Sequence, residues 1–112
     1  MVDVGAKPVT ERMARASGRI RMRAETLQLI LDKALAKGDV LEVARLAGIM
    51  AAKKCSELIP LCHPISLSSV AVEISLAEDG FLITATTKTE SQTGVEMEAY
   101  TAVAIAGVTL ID

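Results

Sequence analysis

The sequence predicts an α+β fold, a mainly antiparallel sheet with helices packed on one face and ferredoxin-like features. Three observations carry that prediction. Residues 9–22 and 69–90 alternate between apolar and polar with the two-residue period of half-buried strands. Residues 24–38, 39–59 and 93–112 place apolar side chains at helical spacing. An Asp79-Gly80 pair splits the second alternating stretch and reads as a hairpin turn. The order is therefore strand, helix, helix, strand, strand, helix.

In the first strand Ala14, Ala16, Ile20 and Met22 share one parity and Glu11, Arg15, Arg19 and Arg21 the other. Gly18 is where such a strand would break. Arg12 falls on the inner parity, either as a strand-end arginine reaching solvent or as an inward anion clamp. In the first helix Leu27, Ile30, Leu31, Ala34 and Leu35 form the apolar stripe, and Gly38 supplies a stop. The second helix opens with Asp39 and Glu42 at capping distance and ends at Pro60. Its Ala44, Ala47, Gly48, Ala51 and Ala52 make a small-residue face suited to close packing. Val70, Val72, Ile74 and Leu76 share one face of the hairpin, and residues 81–88 return. Thr93 and Glu96 have capping-box spacing at the start of the last, alanine-rich helix.

At 112 residues the chain is one domain. It is 51% hydrophobic, enough to fill a core, but aromatics are only 2% and alanine supplies much of the apolar content. Small side chains bring little bulk, so burial at a subunit interface is expected to add to the core. A net charge of −2 without a lysine-rich block excludes general binding to nucleic acid or to a membrane surface. One Tyr, one Phe and no Trp offer no stacking platform for single strands. No signal-peptide pattern and no bilayer-length apolar run is seen. Cys55 and Cys62 do not make a disulfide framework, so the chain reads as cytoplasmic, with free thiols.

The only histidine, His63, stands between Cys62 and Pro64 in "ELIPLCHPISLSSV". Adjacent residues of an extended segment point to opposite sides, so Cys62 and His63 cannot both reach one site. With no CxxC or HxxxH, no intrinsic metal is expected. A cysteine nucleophile needs a positioned base, which adjacency does not provide, so Cys62 reads as buried and inert. His63 is either a satisfied packing residue or, in a proline-bracketed loop, a phosphate donor or proton relay. Glu96 as a cap, Glu98 as a first-turn acid and Lys37 as a solvated lysine all have structural explanations, which spacing alone favours.

The segments "KGDVLEVARLAGIMAAKKCSELIPLCHPI" and "TGVEMEAYTAV", with "MVDVGAKPVTERMARA" and the closing "VTLID", resemble the MoaC family over nearly all of the chain. The resemblance implies conversion of 3′,8-cyclo-7,8-dihydro-GTP to cyclic pyranopterin monophosphate with release of pyrophosphate, a step of molybdenum-cofactor biosynthesis. It implies no redox cofactor, and a nucleotide substrate made by a radical SAM partner enzyme. It also implies a homohexamer, a trimer of dimers with sites at the dimer interface. Carried over by motif, the substrate-contacting residues are Leu61, Cys62, His63, Met97 and Glu98, with Lys37, Arg12 and Asp3 at further pocket positions. Asp112 matches the family's acid–base residue, and His63, Glu98 and Glu96 complete the expected catalytic set.

The family pattern places a catalytic lysine within a few residues of that aspartate, whereas this chain ends at Asp112. The expectation is therefore an ordered portion of a longer protein, or a natural short form, whose 112 residues alone turn over poorly. The alternative reading is a non-catalytic, nucleotide-binding oligomeric domain. If residues 94–112 form one helix, Glu98 and Asp112 look the same way but stand about 21 Å apart along its axis. One reacting centre cannot use both, which predicts a site shared between two subunits.

Overall fold

The computed structural model describes the backbone of residues 1–37 and 40–112, with the side chains of Leu35 and Lys37 left out. The expected helix stop at Gly38, the cap at Asp39 and the side chains of Leu35 and Lys37 lie outside the described residues. The elements in chain order are β1 (Thr10–Arg21), α1 (Ala24–Lys37), α2 (Val40–Lys53), α3 (Cys55–Leu58), β2 (Ser69–Ala77), β3 (Gly80–Ser91) and α4 (Glu96–Ile111). The sheet has the order β1-β3-β2, with both pairings antiparallel, and α2 and α4 cover one of its faces. This is the expected α+β architecture.

Alternation along β3 decides which face is covered. Phe81, Ile83, Ala85, Thr87 and Thr89 are all buried, while Lys88 and Glu90 on the other parity are exposed. Ala16 of β1 and Val72 of β2 stand opposite Ala85, so the three strands offer one continuous row to the helices. The helices meet that row with small residues. Ala44, Gly48, Ala51 and Ala52 of α2 are buried, as are Ala99, Ala102, Ala106 and Gly107 of α4.

Five local expectations are corrected. β1 does not break at Gly18, because pairing with β3 runs without interruption from Thr10↔Ser91 to Arg21↔Gly80. The space a side chain at Gly18 would need is held by Val103 of α4, 2.7 Å from an ideal Cβ. The helix expected over 39–59 stops at Lys53. Lys54 takes φ −111° and ψ 18°, the chain turns, and the short α3 carries Cys55 inward. Thr93 and Glu96 make no capping box. α4 starts at Glu96 behind Val95, which has no side-chain cap, and the Glu96 carboxylate folds over Gly94 instead. The hairpin turn sits one residue earlier than expected, since Ala77 already pairs with Gly80. Gly80 has φ +158°, and a Cβ there would lie 1.7 Å from the Ile20 carbonyl oxygen. Leu76, at the hairpin end, lies beyond the helices and is 61% exposed.

Gly48 tests the closeness of α2 and α4. A Cβ at this position would lie 2.8 Å from the Ala102 carbonyl oxygen, a backbone atom that cannot rotate away. Helix propensity favours alanine over glycine by about 1 kcal/mol, while overpacking typically costs about 1–3 kcal/mol. Gly48→Ala is therefore expected to lower stability by up to roughly 2 kcal/mol in urea unfolding, although it replaces a poor helix former with the best one. A more stable Gly48→Ala protein would show that the helices are not in contact there.

Candidate active site

Three stretches of chain leave the sheet at the same end. The pairing of Thr10 with Ser91 places residues 1–9 beside residues 92–95. Ser68 N–H donates to the Lys88 carbonyl at 2.8 Å, and the Thr89 hydroxyl donates to the Ser66 carbonyl, which brings in the loop of residues 59–68. The Thr87 hydroxyl donates to the Val95 carbonyl at 3.0 Å and anchors the start of α4. Both threonines are fully buried, so neither bond competes with water.

The N-terminal segment is tied down by side chains of this junction. His63 Nε2 donates to the Val2 carbonyl. Gln92 Nε2 donates to the Gly5 carbonyl at 3.1 Å. The half-buried Arg12 donates through Nε to the Ser91 carbonyl at 3.0 Å and through Nη2 to the Pro8 carbonyl at 3.3 Å. Its guanidinium therefore reaches the junction rather than bulk solvent alone. Asp3 is exposed and accepts the Gly5 N–H at 2.9 Å. Leu61 and Met97 are 70% and 43% exposed at the rim.

Glu98 lies below this rim on the first turn of α4 and is 2% exposed. Among the described residues it forms no ion pair. The Cys62 thiol donates to its Oε2 at 3.4 Å, and Cys55 Sγ stands 3.6 Å from Cys62 Sγ. Cys55 is also 3.4 Å from the Thr101 hydroxyl of α4. Burial pushes the Cys62 thiol up to about 12, and its contacts with Cys55 and then Glu98 push the same way. Cys62 thus keeps its proton at neutral pH and serves as a donor, and it is half-buried rather than buried as expected. His63 and Cys62 do diverge, one to Val2 and the other to Glu98.

The fold thus gathers Asp3, Arg12, Leu61, Cys62, His63, Glu96, Met97 and Glu98 at one end of the sheet. Asp112 is elsewhere. It is the exposed C-cap of α4, with its N–H on the Val108 carbonyl at 3.2 Å. Fourteen residues of unbroken helix separate it from Glu98, about 21 Å along the axis. Cys55 is the residue that sequence reasoning left out of the site. Its signal was present in the seven-residue interval before Cys62, but only the turn that ends α3, where Ile59 takes φ −109° and ψ 111° and its carbonyl accepts the Cys62 N–H at 3.1 Å, turns that interval into contact.

The raised Cys62 thiol has a measurable consequence. The native state holds this proton more tightly than the unfolded chain, so its contribution to stability is complete below about pH 9 and is lost as pH rises towards 12. Urea unfolding above pH 9 is expected to show a downward slope that is smaller in Cys62→Ser. At pH 8, in chelator-treated protein, iodoacetamide should modify Cys62 roughly 100-fold more slowly in the native state than in urea. Equal rates would mean that the thiol is not held protonated.

The family model described as the MoaC family matches residues 1–112. The chain is 54% identical over 112 residues to a cyclic pyranopterin monophosphate synthase of Streptomyces griseus, covering all of this chain and 63% of that protein. It is 55% identical over 114 residues to the synthase of that name from Cereibacter sphaeroides, covering 72% of it. For Thermomicrobium roseum the figures are 56% over 114 residues and 69%. The chain thus spans about two thirds of the length of the curated relatives it matches. With a match that spans both the LIPLCHP loop and the TGVEME turn that the fold brings together, the chain belongs to the MoaC family.

Proposed function

We propose that this single domain takes part in molybdenum-cofactor biosynthesis as a cyclic pyranopterin monophosphate synthase. It acts in the cytoplasm on 3′,8-cyclo-7,8-dihydro-GTP, the product of a radical SAM enzyme. It forms the cyclic phosphate and releases pyrophosphate, with no redox cofactor of its own. The observation that carries this reading is the convergence of His63, Cys62, Glu98 and Arg12 at one end of the sheet, in a chain 52–56% identical to proteins of that name.

Opening a purine-derived ring while closing a cyclic phosphate requires several proton transfers. Carboxylates and an imidazole are the groups suited to them. In this reading the loop of Leu61, Cys62 and His63 lines the substrate, stiffened by Pro60 and Pro64. His63 exchanges its bond to the Val2 carbonyl for one to substrate and relays a proton. Met97 and Glu98 face the ring system from α4, with Glu96 at the mouth. Arg12 and Lys37 hold the triphosphate, and Asp3 orients the N-terminal segment across the pocket. Preorganised donors of this kind stabilise charge as it moves between phosphate oxygens.

Asp112 enters as the acid–base residue of a second copy. Antiparallel packing of α4 across a two-fold axis would bring it towards Glu98 of the first copy. Supporting this, Met97, Tyr100, Val108 and Ile111 form an exposed stripe along α4. An apolar groove of about 280 Å³ adjoins it, lined by Gly18, Ile20, Val103 and Gly107 among others. Three such dimers would make the hexamer.

Full-length protein expressed from its whole reading frame, given the cyclised nucleotide, should release pyrophosphate and form the pterin. Release no faster than without protein would overturn the reading. His63→Ala is expected to lower kcat/KM by roughly 10²–10⁴-fold with Tm nearly unchanged. A collapsed Tm with normal specific activity would make His63 a packing residue. Mixing inactive Glu98→Gln and Asp112→Asn proteins under subunit exchange should restore about a quarter of wild-type activity, since half the dimers are mixed and each holds one intact site. No recovery despite proven exchange would place the site within one chain.

A further inference from the structure

We infer that Cys55, Cys62 and Glu98 form a binding site for a thiophilic divalent cation of the zinc or cadmium class. Each offers one ligand atom, and the three atoms lie within 4.8 Å of one another. Their spacing agrees with coordination. Zinc bonds of about 2.3 Å to sulfur and about 2.0 Å to oxygen, set tetrahedrally, put two sulfurs about 3.8 Å apart and sulfur and oxygen about 3.5 Å apart. The protein has Cys55 Sγ and Cys62 Sγ at 3.6 Å, and Cys62 Sγ and Glu98 Oε2 at 3.4 Å. For these two pairs a shift of a few tenths of an ångström suffices, and the third pair, Cys55 Sγ and the Glu98 carboxylate, closes from a separation of no more than 4.8 Å by side-chain rotation.

A second observation points the same way. Glu98 is 2% exposed and, among the described residues, is bonded by a thiol but by no cationic side chain. A buried carboxylate without a counter-charge is costly, and a dication is the ligand that relieves it. The Thr101 hydroxyl, 3.4 Å from Cys55 Sγ and buried in α4, is placed to donate to a thiolate there, as outer partners of metal ligands do. Two sulfurs select against magnesium and calcium, which take all-oxygen sites. Three protein ligands leave a fourth position for water or an anion. The expectation of no metal rested on Cys62 and His63 diverging, which they do, and on the lack of CxxC or HxxxH spacing; it is Cys55, seven residues ahead and carried in by α3, that supplies the second sulfur.

Binding breaks two S–H bonds and forms two metal–sulfur bonds. Two protons leave for solvent, and no electron changes hands. Cation and nucleotide would then compete for Cys62 and Glu98. That consequence alone rests on the proposed function, and metal binding can be read without substrate.

The test uses reduced, chelator-stripped full-length protein and cobalt(II) as the probe. One equivalent should bind with thiolate-to-cobalt charge-transfer absorption and be displaced by zinc but not by magnesium. Cys55→Ala, which lies outside the proposed catalytic set, should weaken zinc binding at least about 100-fold. Wild-type protein in weak buffer should release close to two protons per zinc at a pH where both thiols start protonated. Absence of the charge-transfer band, displacement by magnesium, equal zinc affinity in a folded Cys55→Ala, or no proton release would each overturn the assignment. If Cys55→Ala does not fold, the wild-type band and proton count decide.

Discussion

Between α2 and α4 there is room for methyl groups and little else. Ala44, Gly48, Ala51 and Ala52 face Ala99, Ala102 and Ala106, and the two largest fully buried side chains, Phe81 and Ile83, come from the sheet. Close approach is a constraint before it is a source of energy, because alanine buries little area per residue. It fixes the height of α4 above β3 and with it the depth of Glu98 and Thr101. A wider gap would lift Glu98 to the surface, where a carboxylate needs no partner. At the present spacing it is buried against the thiol of Cys62.

The second determinant is polar. A row of β3 that is otherwise apolar ends in Thr87 and Thr89, both fully buried. Valine would have the same shape and β preference. The hydroxyls instead seize one carbonyl each from the two segments that carry the site, Val95 before α4 and Ser66 in the loop. Two hydroxyls in the core thus position loops whose own sequences hold few structure-forming residues. The stretch from Pro60 to Pro64 adds stiffness, and Thr89 adds location.

Period-two and period-3.6 patterns made the sheet, the hairpin and the two long packed helices legible from sequence, since each buries one face. Features set by tertiary contact were not legible. The continuity of β1 through Gly18 depends on Val103, some eighty residues away in the chain. The break at Lys54 has no proline or glycine to announce it. Thr93 and Glu96 matched a capping box in spacing, yet Gly94 admits the Glu96 carboxylate against its own backbone. At the site, the proline-bracketed histidine and the acids of the last helix stood out by type and position. Their convergence with Asp3 and Arg12 is a property of register, Thr10 facing Ser91, which composition cannot express.

That register also sets an order of assembly. β2 and β3 are joined by a two-residue turn and can pair as soon as they exist. β1 meets β3 only by closing loops from Arg21↔Gly80 out to Thr10↔Ser91, among the longest closures this chain allows. Loop closure is paid in entropy before contacts repay it, so such pairing comes late and slows folding. Arg12, Asp3 and the Val2 carbonyl all ride on β1 or on the segment ahead of it. A nascent or partly folded chain can therefore hold its hairpin and helices while lacking one wall of the pocket. The candidate site is completed only with the last long-range contacts, and partial folds lack it.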